Sequence, residues 1–403
     1  MKRRVVVTGL GVVSSIGIGK DEFWKNLIAG KSGISDIESF DTSDYSVHKG
    51  GEVKNFDPIE FIPKNRLERM ARASQFAIAA TKMAFDDAKL NISDYQKKKV
   101  AIILGTTMGE VGMIEEVDKH WIAQGEEDIW ALTVSKYPGN VISDNVARFF
   151  GFKSISLVIP TACSGGNYAI GHGYDLVERG VIDCAIVGGS DPFSRLAFTG
   201  FSRLFAMSPD KCQPFDKNRK GMMLGEGAGI LILEDLDSAK KRGVDIYAEP
   251  KGYGLNCDAN HMTAPRAESI VKVMERAMKN SNVSKEDIDY ISAHGTGTPS
   301  NDQAECQAVN TIFEDLIGKV SLSSIKSMLG HTMGAASALE AISCCLAVKY
   351  GIIPPTINYE TYDSDCAIDC VPNEAKTKNV KIALNNSLAF GGNNACLAIK
   401  KYE

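Results

Sequence analysis

One order of segments occurs twice in this chain. Arg72 to Lys89 repeats apolar side chains at helical spacing (Phe76, Ala80, Met83, Ala84). A short polar linker follows, then the continuous apolar run Lys99 to Leu104, which ends in Gly105. Later, Ala267 to Lys279 carries Ile270, Val273, Met274 and Ala277 on one face. The apolar run Asp287 to Ala293 follows it and opens into a loop at His294. A second echo pairs Cys163–Gly180 with His331–Gly351, each a small-residue helix that ends in glycine. Helix, linker, strand and loop in alternation predict a large α/β core. Two copies of that order predict duplicated halves, 1–250 and 251–403, although two unrelated α/β units can look alike by chance.

The 403 residues are enough for such a pair of halves. A net charge of −5 gives no generally basic surface, so nucleic acid is not an expected partner. The start, Met1-Lys-Arg-Arg and then Val5 to Val7, imitates a signal peptide. Thr8-Gly9 breaks the apolar run at once, so a buried strand is predicted, with Gly9 to Gly19 as a glycine-rich turn region. No apolar stretch reaches the roughly 18 residues that crossing a membrane needs. Ten cysteines without a regular framework predict reduced thiols and a cytoplasmic setting. The C-x-x-x-C pair Cys366/Cys370 and adjacent Cys344/Cys345 lack a second ligand pair, so no metal is expected. Gly9-Leu-Gly11 lacks the third glycine of a dinucleotide loop, and no phosphate-cradling Gly-Lys-Ser/Thr motif occurs.

Three segments have the makings of chemistry. Thr161-Ala-Cys163-Ser-Gly-Gly follows the apolar run Ile155 to Ile159 and precedes a small-residue helix. A sulfur at a helix N-terminus meets free N–H groups that favour a thiolate, although a lone cysteine is more often buried and inert. His294-Gly-Thr-Gly-Thr298-Pro and Lys326-Ser-Met-Leu-Gly-His331 each follow a strand, where α/β proteins place active groups. Either histidine alone is more often structural. The other four, His48, His120, His172 and His261, have no such setting. Ala389-Phe390-Gly391-Gly392 ends a strand, and its glycines permit either a tight hairpin or a backbone N–H presented to an oxyanion.

Together these segments resemble the β-ketoacyl-acyl-carrier-protein synthases of the thiolase superfamily, nearly end to end. The likeness is nearest to synthase II and related polyketide and polyene ketosynthases. It implies a thiolase-like fold, duplicated halves stacked as a five-layer α-β-α-β-α sandwich. It further implies decarboxylative condensation with malonyl-acyl-carrier protein. Cys163 would hold the acyl group, His294 and His331 would act on the malonyl thioester, and Lys326 would support them through Glu340. Backbone N–H groups of Cys163 and Phe390 would form an oxyanion hole, with Phe390 also as gate. Thr296 and Thr298 would touch the phosphopantetheine arm, and Met108 would line the acyl pocket. The resemblance implies no free cofactor, since the arm arrives on the acyl carrier protein. It implies a homodimer, or a heterodimer with a second ketosynthase-like subunit.

Two relatives in the superfamily set the alternatives. Non-catalytic chain-length factors have typically lost the cysteine to glutamine, and thiolases use two cysteines with one histidine. The carrier-docking stretch departs from the family's basic pattern. It reads Gly125-Glu126-Glu127-Asp128, Glu68 interrupts Lys64, Arg66 and Arg69, and Phe205 stands where an arginine is usual, near Arg203. Asn393 and Leu388 depart from the family's usual Thr and Phe beside the glycine pair.

Overall fold

The computed structural model describes residues 2–125, 131–316 and 318–403. The duplication is visible in the two main sheets. The first contains β1 (Val5–Ser14), β2 (Gly17–Ile18), β3 (Val100–Gly105), β4 (Ile155–Ile159), β5 (Cys184–Asp191) and β6 (Gly227–Asp235), in the order β2-β1-β6-β5-β3-β4. The second contains β7 (Glu249–Cys257), β8 (Tyr290–Ser292), β9 (Ser321–Ser323), β10 (Ile382–Leu388) and β11 (Asn393–Lys400), in the order β9-β8-β10-β11-β7. With the short β2 set aside, both sheets share one topology. In each, the first strand lies at one side, two antiparallel pairings follow it, and two parallel pairings lead to the third strand.

Helices make the other three layers. α1 (Arg72–Asp87) and α2 (Val141–Phe150) cover the outer face of the first sheet. α5 (Ala267–Ser281) and α6 (Pro299–Phe313) cover the outer face of the second. Between the sheets lie α3 (Gly165–Glu178) and α7 (Ala336–Tyr350), which touch each other and both sheets. These two are the small-residue helices of the sequence. A helix packed on every side needs no polar face, and α7 is buried from Ala336 to Val348. The result is the expected five-layer thiolase-like sandwich. A further helix, α4 (Arg195–Arg203), lies outside these layers. Among the described residues no helix is long and apolar enough to cross a membrane.

The first strand corrects the sequence reading. Gly9 and Gly11 are not in a turn, because β1 continues to Ser14. A Cβ on Gly9 would lie 2.2 Å from the carbonyl oxygen of Ala84, and one on Gly11 1.8 Å from that of Ala80. The glycines let α1 lie directly on the strand, which is a second reason for glycine that composition cannot separate from turning.

Candidate active site

Cys163 and His331 sit on corresponding connections of the two halves. Each connection leaves the third strand of its sheet and enters a central helix through a short 3₁₀ turn; Cys163 lies within its turn, Ala162–Ser164, and His331 two residues before its own, Met333–Ala335, after the short helix Lys326–Leu329. The first residue of each turn is left-handed, Ala162 at φ 51° and Met333 at φ 52°. Such a conformation costs energy for a residue with a Cβ and is concentrated where a site needs a particular aim. Here it turns the two segments toward each other, so that His331 Nε2 lies 3.1 Å from Cys163 Sγ.

The backbone fixes the proton on His331. The Met333 N–H donates to His331 Nδ1 over 3.2 Å. Nδ1 therefore offers a lone pair, and in the neutral ring the proton sits on Nε2. His294 is arranged likewise. Lys326 Nζ, a pure donor, lies 3.4 Å from His294 Nδ1 and donates to the His294 carbonyl oxygen over 2.6 Å. Its remaining partner is the buried carboxylate of Glu340. The two imidazoles meet edge to face with centroids 5.4 Å apart. Burial, and behind it the charge of Lys326, holds both well below the usual histidine range, so both are neutral N–H donors at neutral pH.

Two opposing effects act on the sulfur. Burial pushes the Cys163 thiol up to about 11, against the opposing pull of Lys326 and of the Phe390 and Cys163 N–H groups that hydrogen-bond the sulfur. They are the two N–H groups that the resemblance implies for an oxyanion hole. Phe390 is presented by the turn between β10 and β11, where the Ala389 N–H donates to the Asn393 carbonyl over 3.2 Å. Its ring lies 5.8 Å from that of Phe201.

One narrow pocket joins these groups. Cys163, His294, His331 and Phe390 line it, and so do Thr296 and Thr298, whose hydroxyls are 2.9 Å apart. Lys326 stands behind His294 and pairs with Glu340. Met108 is not among the residues lining this mouth; it packs in an apolar cluster with Phe193, Phe198 and Met333, and its N–H donates to Asp191 over 3.0 Å.

Several positioning groups escaped sequence reasoning. Glu305, wholly buried on α6, accepts the N–H groups of His294 and Gly295, each over 2.9 Å. Burial raises its carboxyl to about 7. Asp191, raised by burial to about 6, clamps the Thr106–Met108 loop to the N–H of Gly334. Only the spacing of Glu305, eleven residues after His294 and one helix away, hinted at its place. His261, given no setting by sequence, lines the mouth together with Asp258. The acidic residues Glu126, Glu127 and Asp128 lie outside the described residues. Lys64, Arg66, Arg69 and Arg203 are exposed.

Comparison with known proteins agrees with this geometry. The family model described as "Beta-ketoacyl synthase, N-terminal domain" matches residues 2–239, and "Beta-ketoacyl synthase, C-terminal domain" matches residues 247–360. A 3-oxoacyl-[acyl-carrier-protein] synthase 2 from Synechocystis sp. is 37% identical over 411 residues, covering 100% of this chain and 99% of that protein. The ishigamide ketosynthase/chain length factor structure superposes with a TM-score of 0.97 at 44% identity, with both chains covered completely. A type II PKS ketosynthase, solved with its acyl-carrier protein and bound to a hexaketide, gives 0.91 at 32% identity, again over 100% of both chains.

Proposed function

The chain belongs to the β-ketoacyl synthase family, and from that membership and the convergence of Cys163, His294 and His331 on one pocket we propose that it is a condensing enzyme of the acyltransferase class. It joins a Cys163-bound acyl group to malonyl-acyl-carrier protein and releases β-ketoacyl-acyl-carrier protein, in fatty acid or polyketide-type elongation. The observation that carries this reading is the 3.1 Å contact of a cysteine with a histidine whose Nε2 bears a proton. A chain-length factor without the cysteine has no use for it. The residues divide between two working halves, 1–250 with the nucleophile and 251–403 with the histidines.

Acyl transfer begins when Cys163 Sγ attacks the thioester carbonyl of the arriving arm. The new C–S bond forms as the bond to the arm breaks, and the Cys163 proton leaves on the departing thiol. The N–H groups of Cys163 and Phe390 hold the oxyanion meanwhile. Malonyl thioester then takes the arm's place, with its carbonyl oxygen facing the Nε2–H groups of His294 and His331. The bond to the carboxylate breaks, carbon dioxide leaves, and the electron pair becomes an enolate held by two neutral donors. The enolate carbon attacks the Cys163 thioester, the C–S bond breaks, and Cys163 leaves as a thiolate that takes a proton from water. Thr296 and Thr298 hold the arm, which the carrier brings, so no free cofactor is needed.

The setting is cytoplasmic, and the assembly is a dimer formed through the edge strand β4, whose Ile155 and Leu157 are 40% and 39% exposed. The test is product mass. Wild type supplied with acyl- and malonyl-loaded carrier should yield the β-ketoacyl carrier, and Cys163→Ser should not. Condensation by the serine variant at the wild-type rate overturns the reading.

A further inference from the structure

α6 holds the His294 loop from behind. Its Asp302 accepts the N–H groups of Phe215 and Gly297, and its Glu305 those of His294 and Gly295. Cys306 follows Glu305 directly and is buried. A short 3₁₀ turn, Ser364–Cys366, packs against this helix. Gln303 Nε2 donates to Asp365 across the contact over 3.3 Å, and Arg219 ties down Asp363 at the head of the turn. The turn thereby sets the thiol of Cys366 in hydrogen-bond contact with the thiol of Cys306. Both are free, as is Cys370, buried in the same apolar cluster. Two thiols pack in a core much as other small apolar side chains do, and what a touching pair alone can do is join. Ser364 and Asp365 are exposed, so a single turn of chain separates Cys366 from solvent. Such a cover opens locally without unfolding the domain.

We propose that Cys306 and Cys366 form an oxidative modification site, which a hydroperoxide closes to a disulfide and a small thiol reopens, and that the bond slows the enzyme by displacing α6. Cys366, in the turn, reacts first. Its sulfur attacks one peroxide oxygen, the O–O bond breaks, and the thiol proton leaves with the other oxygen as water, which gives a sulfenic acid. Burial pushes the Cys306 thiol up, so Cys306 stays protonated and is the second to react. Its sulfur attacks the sulfenic sulfur, the S–S bond forms, the S–O bond breaks, and a second water carries off the Cys306 proton. Two thiols are oxidised, one peroxide is reduced, and two waters leave. The covalent bond draws the sulfurs closer than two touching thiols lie. Cys306 can follow only with its helix. Glu305 moves with it, and the two 2.9 Å bonds that hold His294 and Gly295 are disturbed.

The experiment treats the full-length protein with hydrogen peroxide, alkylates the remaining thiols in denaturant, and reads the proteolytic peptides by mass. In wild type the Cys306 and Cys366 peptides should be joined. Cys366→Ser and Cys306→Ala should each abolish the joined peptide, and this readout holds even where a variant is less stable. Before oxidation Cys366→Ser should condense at the wild-type rate. After it, wild type should fall about fivefold below Cys366→Ser, and dithiothreitol should restore that difference. Oxidation of Cys163 lowers both proteins alike, so the difference between them belongs to the pair. Oxidised wild type should also melt a few degrees higher than reduced, because the bond constrains the unfolded chain. Cys366 joined to Cys370, or left unjoined, overturns the proposal. So does a Cys306–Cys366 bond with equal rates in oxidised wild type and oxidised Cys366→Ser. The joined peptide is read without turnover, so a protein that forms it yet condenses nothing fails the condensation reading alone.

Discussion

Gly166 is the point at which the two halves of the site are held in register. A Cβ there would lie 2.7 Å from the Ala338 nitrogen, 2.8 Å from Ser337 Oγ and 3.0 Å from the Ala338 Cβ. Gly166 belongs to the helix that Cys163 leads into, and Ala338 to the helix that follows His331. Ordinary contact needs about 3.4 Å or more, so Gly166→Ala must part α3 and α7 by about 0.7 Å. The 3.1 Å from Cys163 to His331 would stretch toward about 3.8 Å, a long and weakened hydrogen bond even for sulfur. Overpacking costs about 1–3 kcal/mol, and alanine's better helix propensity returns at most about 1 kcal/mol. We therefore expect a net loss of up to about 2 kcal/mol in urea unfolding. A misplacement of this size in a catalytic constellation should lower condensation by about tenfold to a hundredfold. Acylation of Cys163, followed by intact-protein mass, should suffer less than release of carbon dioxide, which needs both histidines. A Gly166→Ala protein as stable and as fast as wild type would refute the argument that this helix contact sets the site.

Lys326→Met leaves Glu340 buried without its partner and should cost about 3–5 kcal/mol in denaturant unfolding. It also removes a charge that holds the histidines down, so any acid limb of decarboxylation should move to higher pH. In wild type both imidazoles titrate well below 6.5, so decarboxylation measured from pH 8 downward should show no half-loss at 6.5. Stability has the matching sign. Below 6.5 the unfolded chain binds protons at these histidines that the folded protein refuses. Unfolding free energy should therefore fall with pH by up to about 1.4 kcal/mol per unit per histidine, and His294→Asn should lessen that slope. Met108→Phe should overcrowd the Phe193–Phe198 cluster at a cost of about 1–3 kcal/mol in urea unfolding. The same variant should shorten the acyl chains loaded onto Cys163, and an unchanged chain-length profile would show that Met108 does not wall the acyl pocket.

The duplicated order of elements was legible because each half repeats its hydrophobic period and its glycine stops. The strand-end positions of Cys163, His294 and His331 were legible for the same reason. Three things were less so. Gly9 and Gly11 look like a turn because glycine serves turning and close packing alike, and only α1 lying on β1 distinguishes them. The environment of the Cys163 thiol was half legible, because a helix N-terminus is visible in sequence whereas the burial that raises the thiol is not. Glu305 and Asp191 carry no local motif. Their task is to accept backbone N–H groups of loops brought to them by the fold, Gly334 being 143 residues from Asp191.

The division of labour between the cysteine and the histidines is tested most directly by radiolabelled carbon dioxide release from malonyl-loaded carrier protein. Three proteins are compared: Cys163→Gln, His294→Ala and His331→Ala. With His294 and His331 intact, Cys163→Gln should release carbon dioxide at or above the wild-type rate while forming no β-ketoacyl product. The two histidine variants should still acquire an acyl group on Cys163 yet release almost none. Carbon dioxide release that vanishes with Cys163→Gln, or survives unchanged in either histidine variant, would contradict the account.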